Sequence, residues 1–96
     1  MTITAKQLRS TANRLADACD YLNRQALKHQ QAGGDQNTVE QMLGVFGQIQ
    51  DRMKQLHYWA YDVDQGDVSA ERLADMEAGA AEFLALAAPV LERAGR

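Results

Sequence analysis

The soft or imidazole metal ligands of this sequence are Cys19, His29 and His57. Thiolates and imidazoles are the ligands that zinc prefers, and they must converge on one point to bind it. On a helical hairpin that turns near Gly34, the two histidines would lie about 25 Å apart along the axis. Cys19 falls in a row of small residues, where a free cysteine behaves as a small buried hydrophobe. We therefore predict no metal site and no cofactor.

The acidic segment 62–67 has part of the spacing of a calcium-binding loop. An EF-hand loop needs Gly at its sixth position and Glu at its twelfth. Counted from Asp62, those positions hold Asp67 and Leu73, so the segment is expected to be a solvated turn. Asp62 and Asp64 near the end of a helix would oppose its dipole. A basic group on a neighbouring helix or on a partner is therefore expected close to them.

Arg14, Arg24 and Arg52 are the residues best suited to bind an anion between helices. They fall outside the apolar seams described below, and no serine or cysteine has an evident base beside it. The sequence therefore predicts no catalytic residues and a protein that is not an enzyme. A small-ligand-binding or enzymatic bundle that uses these arginines remains the alternative. A nucleic-acid-associated protein that uses the first helix is a second alternative.

The segment that would position all of these groups is an apolar stripe over residues 39–63. Apolar residues alternate there at spacings of three and four, which is the seam of a heptad repeat. The first helix carries a row of small residues beside a row of leucines, and the third carries a similar seam. Capping signals and glycines bound three helices at about 4–32, 37–64 and 69–92, with a kink or stop near Pro89.

Three helices with short links predict an all-α, antiparallel (up-down-up) three-helix bundle in a single domain over residues 1–96. The rival is a hairpin of the first two helices that dimerises into a four-helix bundle, with the third helix outside. Among residues 1–31, five basic residues outnumber two acidic ones, whereas the rest holds five basic and eleven acidic. Because nucleic-acid binding needs clustered Lys and Arg, a weakly acidic chain is a poor candidate for it. Without a signal peptide, membrane span or cysteine pair, a cytoplasmic protein with no membrane partner is expected.

Two features of the second helix are not explained by the seam. Gly44 and Gly47 lie in its interior, where each costs about 1 kcal/mol relative to alanine. They fall on the outer side of the helix, on one strip with Asp51, Lys54, Tyr58 and Tyr61. Trp59 has two expected fates: burial by the third helix, with Leu73 roughly opposite, or exposure as part of an interaction surface.

Exposed aromatic residues beside a groove made by glycines have the composition of a protein-binding hot spot. We therefore predict a small protein-interaction module of the regulatory, adaptor or inhibitor kind. It would act by binding another protein through the outer face of the second helix, and we expect a homodimer. The predicted contact residues are Gly44, Val45, Gly47, Tyr58, Trp59 and Tyr61.

Overall fold

The computed structural model describes residues 2–95 as three helices and no strand. The helices are α1 (Ala5–Gln31), α2 (Gln36–Gln65) and α3 (Ala70–Ala94). They form an elongated bundle of 51 × 21 × 16 Å. Helix α1 packs mainly on α2, and α3 lies mostly against α1. The predicted antiparallel three-helix bundle is confirmed.

The helix ends follow from side chains that satisfy free backbone groups. Thr4 and Gln7 form the predicted capping box at the start of α1, and Ser69 caps α3. Asp35 caps α2 by accepting from the backbone N–H of Asn37. Gly66 ends α2 with φ at 78°, a left-handed conformation that suits glycine.

Many of the side chains that α1 contributes to the core are small. Its buried seam consists largely of alanines, with three leucines beside them, so that α2 can approach closely. Helix α2 contributes larger buried residues, and α3 adds four more. The buried apolar residues are Ala5, Leu8, Ala12, Leu15, Ala18, Cys19, Leu22, Ala26, Val39, Ile49, Leu56, Ala60, Met76, Ala80, Ala87 and Val90.

Helix α3 differs from the prediction at its C-terminal end. A kink or stop was expected near Pro89, because proline lacks an N–H and crowds the preceding turn. The helix does not stop at Pro89 but continues to Ala94, two residues beyond the predicted end near residue 92. The reason is packing on both sides of the proline: Ala87 and Val90 are buried, while Pro89 itself faces outward. Core contacts on either side hold the last turns in place.

The length and apolar character of the helices determine whether one of them could span a membrane. Over the residues that the structure describes, no helix combines the length and the apolar character needed to cross a membrane.

Candidate functional site

The most distinctive surface of the bundle is the side of α2 that points away from the other two helices. Positions spaced by three and four residues run along it. Tyr58 and Tyr61 are 71% and 61% exposed, the two most exposed large apolar side chains among residues 2–95. We call this surface the outer strip; it comprises Glu40, Gly44, Gly47, Asp51, Lys54, Tyr58, Tyr61 and Gln65.

The two glycines make the strip uneven. Apart from its chain neighbours and the backbone of its own helix, a Cβ placed on Gly44 or on Gly47 would meet no atom within 4 Å. The fold therefore does not require glycine at either position for space. Each glycine lowers the helix propensity of α2. Because the two glycines also have no side chains, the strip has a shallow depression at one end, whereas two tyrosines project at the other.

The structure brings four of the six predicted contact residues together and turns two aside. Gly44, Gly47, Tyr58 and Tyr61 lie on the outer strip. Val45 and Trp59 are half-buried, and both pack against the core cluster. Their position in the heptad borders the side that faces α3, which is why they turn inward.

Trp59 is covered by α3, one of the two fates that the sequence left open. Its ring stacks on that of Phe83, with centroids 5.4 Å apart and planes 19° from parallel. The ring also lies over Gly79, where a Cβ would be 2.6 Å from Cη2 of Trp59. Leu73 was expected opposite Trp59, but the contacting residues lie further along α3. Gly79 had no recognised role in the sequence, although a glycine inside a helical apolar face is a signal of close packing.

Ion pairs hold the C-terminal end of α2. Asp62 accepts a hydrogen bond from Arg72 of α3 at 2.8 Å, and Asp64 pairs with Arg9 of α1. These arginines are the basic partners that the two aspartates were expected to have. All four side chains are about half exposed, so each pair contributes little to stability.

Cys19 is a structural thiol in this fold. It is buried, and its Sγ donates to the backbone carbonyl of Phe46 at 3.8 Å. Burial raises the pKa of the Cys19 thiol, and the nearby carboxylate of Asp20 raises it further. A raised pKa keeps the sulfur protonated at neutral pH, where it is a poor nucleophile and a poor metal ligand. Among residues 2–95, no three His, Cys, Asp or Glu side chains form a group able to hold a metal ion.

One groove lies between the N-terminal part of α1 and the middle of α3, with a volume of about 390 Å³. Ile3, Ala80 and Leu84 supply apolar lining, and Arg14 and Glu77 supply charge. Of the three arginines considered for anion binding, only Arg14 reaches this groove. The other two donate to carbonyl groups on their own helices, Arg24 to Asp20 and Arg52 to Gln48.

Two basic residues of α1 have contacts within the bundle. Arg9 is paired with Asp64, and Arg14 lines the groove beside α3. Comparison with known proteins adds no relative: no family model, no curated protein and no solved structure matches this chain.

Proposed function

We propose that this chain is a small protein-interaction module, of the regulatory, adaptor or inhibitor kind, that binds another protein through the outer strip of α2. The observation that carries the proposal is the pair Tyr58 and Tyr61, 71% and 61% exposed on the same strip as two glycines. Tyrosine is enriched in interface hot spots because it buries a large ring and still offers a hydroxyl group. No catalysis is part of the proposal.

The surface has the features of a binding face rather than of a solvated helix. A solvated face would favour strong helix formers and charges, whereas this strip contains two glycines and only three charged residues, Glu40, Asp51 and Lys54. The glycines lower the helix propensity without being needed inside the bundle. A partner that settles into the depression would give them a purpose.

A cytoplasmic location is part of this proposal. The single cysteine is buried as a free thiol, which suits a reducing compartment.

The test is affinity capture from cells of the source organism, with the tagged chain and a Tyr58→Ala/Tyr61→Ala variant. Trp59 stays intact because its ring packs on Phe83 and its removal would disturb the bundle. The matched control is Leu27→Ala/Leu86→Ala, which removes two exposed leucines outside the strip. We expect a reproducible partner to disappear with the tyrosine variant and to remain with the control. An unchanged partner list would contradict the proposal.

The alternative of small-ligand binding would use the groove beside Arg14. The groove beside Arg14 has a volume within the range of ligand pockets, about 300–1,000 Å³. A thermal-shift screen with anionic metabolites tests it, because a ligand that binds only the folded state raises the melting temperature. A dose-dependent rise that Arg14→Ala abolishes would favour this alternative.

A further inference from the structure

The outer strip is complementary to itself when read in the opposite direction. Its N-terminal half carries two glycines and then Asp51, and its C-terminal half, followed backwards from Gln65, carries two tyrosines and then Lys54. We infer that the partner of this strip is a second copy of the same chain, with the two α2 helices antiparallel about a two-fold axis between Asp51 and Lys54. The inference rests on the proposed function and names its occupant.

The register follows from the residue numbers. In each facing pair of the strip the two numbers add to the same total, as an antiparallel two-fold arrangement requires. Tyr58 then lies over Gly47 of the second copy, and Tyr61 lies over Gly44. The residues of the strip are spaced alternately by three and four positions, which is the spacing of a coiled-coil seam, so the facing pairs can stack along an antiparallel coiled coil. The projecting rings fill the depressions that the glycines leave.

The charges agree with this register. Asp51 faces Lys54 of the second copy, and the symmetry produces the same pair twice. Both side chains are exposed, and neither forms an ion pair with another residue within 2–95. Their charges are therefore available across an interface. Opposite charges at such positions fix register and orientation more than they add affinity.

A parallel arrangement fails on the same residues. It would place tyrosine against tyrosine and glycine against glycine, which leaves gaps at one end and crowding at the other. It would also place Asp51 against Asp51 and Lys54 against Lys54, and facing like charges are unfavourable. The antiparallel orientation is the one that satisfies shape and charge together.

The flanks of the strip are compatible with close approach. One flank consists of Gln41, Gln48 and Gln55, and in this arrangement Gln48 would lie near Gln55 of the second copy, offset by two residues (about 3 Å) along the axis. Glutamine amides can donate and accept, so they pair without like-charge repulsion. The opposite flank includes Leu43, which is 44% exposed in the single chain and would be partly covered. Helices α1 and α3 pack on other sides of α2 and leave the approach open.

The size of the contact sets its strength. The strip spans about 38 Å of helix at 1.5 Å per residue and about 10 Å across, which is roughly 400 Å² per copy. A total near 800 Å² is below the standard size of stable interfaces and belongs to weak, reversible association. We expect self-association that becomes measurable only at high protein concentration.

Charge exchange tests the register directly by sedimentation equilibrium up to about 1 mM protein. Asp51→Lys alone and Lys54→Asp alone each create two like-charge contacts and should weaken association at least about tenfold. An equimolar mixture of the two variants should associate again, because each facing pair between the two different chains then joins a lysine to an aspartate. The double variant Asp51→Lys/Lys54→Asp should associate within about threefold of the unchanged chain. Circular dichroism melts of each variant confirm that it is folded.

Cross-linking tests the direction of the helices. In a Cys19→Ala background, Glu40→Cys and Gln65→Cys chains are mixed with a short bifunctional thiol reagent. Antiparallel pairing gives a cross-link only between the two different chains, since identical residues lie about 38 Å apart. Cross-links between identical chains would overturn the antiparallel register.

The two proposals fail in different ways. If the unchanged chain stays monomeric at about 1 mM, the second-copy inference is wrong, and a captured partner lost with Tyr58→Ala/Tyr61→Ala still supports the proposed function. If the chain dimerises but charge exchange and mixing have no effect, the inferred register is wrong. If Tyr58→Ala/Tyr61→Ala changes neither self-association nor the captured partners, both proposals are wrong.

Discussion

Trp59 lies so close over Gly79 that the two residues depend on each other: a Cβ on Gly79 would be 2.6 Å from Cη2 of the indole. Real Cβ contacts are longer, so the ring or α3 would have to move. The ring also stacks on Phe83, one turn further along α3. This contact joins α2 to α3, although α3 packs mostly on α1.

Gly79→Ala is therefore expected to destabilise the bundle. Alanine normally stabilises a helix interior by about 0.5–1 kcal/mol relative to glycine, but overpacking costs about 1–3 kcal/mol. We expect a net loss of about 1 kcal/mol in the free energy of unfolding, measured by urea denaturation and accompanied by a change in Trp59 fluorescence. A gain in stability would show that the indole has free room to move.

Gly44→Ala is the matched substitution in open space, and the opposite result is expected. Apart from its chain neighbours and the backbone of α2, no atom lies within 4 Å of the added Cβ, so the helix propensity decides the outcome. We expect the monomer to gain about 0.5–1 kcal/mol in urea denaturation at low protein concentration. At high concentration the added methyl group would meet Tyr61 of the second copy and weaken association. A loss of monomer stability would contradict this account.

The contrast between these glycines shows what the sequence could predict. Heptad spacing alone places Gly44 and Gly47 on the outer side of α2, and the helix boundaries follow from caps such as Thr4 and Ser69. The sequence could not predict the axial offset between α2 and α3, which depends on the turn after Gly66 and on side-chain fit. Trp59 consequently meets Phe83 and Gly79 rather than Leu73.

The residues of the candidate site also differ in whether the sequence could place them. Residues on the outermost heptad positions, such as Tyr58 and Tyr61, could be placed from spacing alone. Val45 and Trp59 occupy a position that borders both solvent and the third helix. Their fate depends on where that helix lies, which periodicity within α2 does not determine.

Cys19 provides a prediction about pH. Folding raises the pKa of its thiol above the ordinary value of 9.0. The fold therefore favours the protonated form, and this contribution is fully present below the unfolded pKa and is lost as pH rises through the folded one. Above about pH 9, the unchanged chain should lose more stability than Cys19→Ala, as measured by urea denaturation across pH. Parallel pH profiles for the two proteins would contradict the prediction.

His29 occupies the place of a leucine in the α1 row Leu8, Leu15 and Leu22. Its Nε2 is buried without a hydrogen-bond partner, and its ring packs against Gly34 in the turn. A buried polar atom without a partner is unfavourable, so His29→Leu should raise the free energy of unfolding by about 1 kcal/mol.

The control for this substitution is His57→Leu, because His57 is exposed on α2. Exposed substitutions usually change stability by less than about 0.5 kcal/mol. Thermal and urea unfolding of both variants give the comparison. Equal changes in the two variants would show that the environment of His29 is not responsible.

The alanine-rich seam of α1 has a consequence for the side-chain entropy lost on folding. Burying alanine restricts no side-chain rotamers, whereas each leucine loses about 0.5–1 kcal/mol of rotamer freedom, and a methionine such as Met76 loses more. Ala5, Ala12, Ala18 and Ala26 are all buried in α1, the helix on which α2 and α3 both pack. These four positions give the bundle buried contacts without any loss of rotamer freedom, whereas the three leucines of the same helix lose rotamer freedom as the buried side chains of α2 and α3 do.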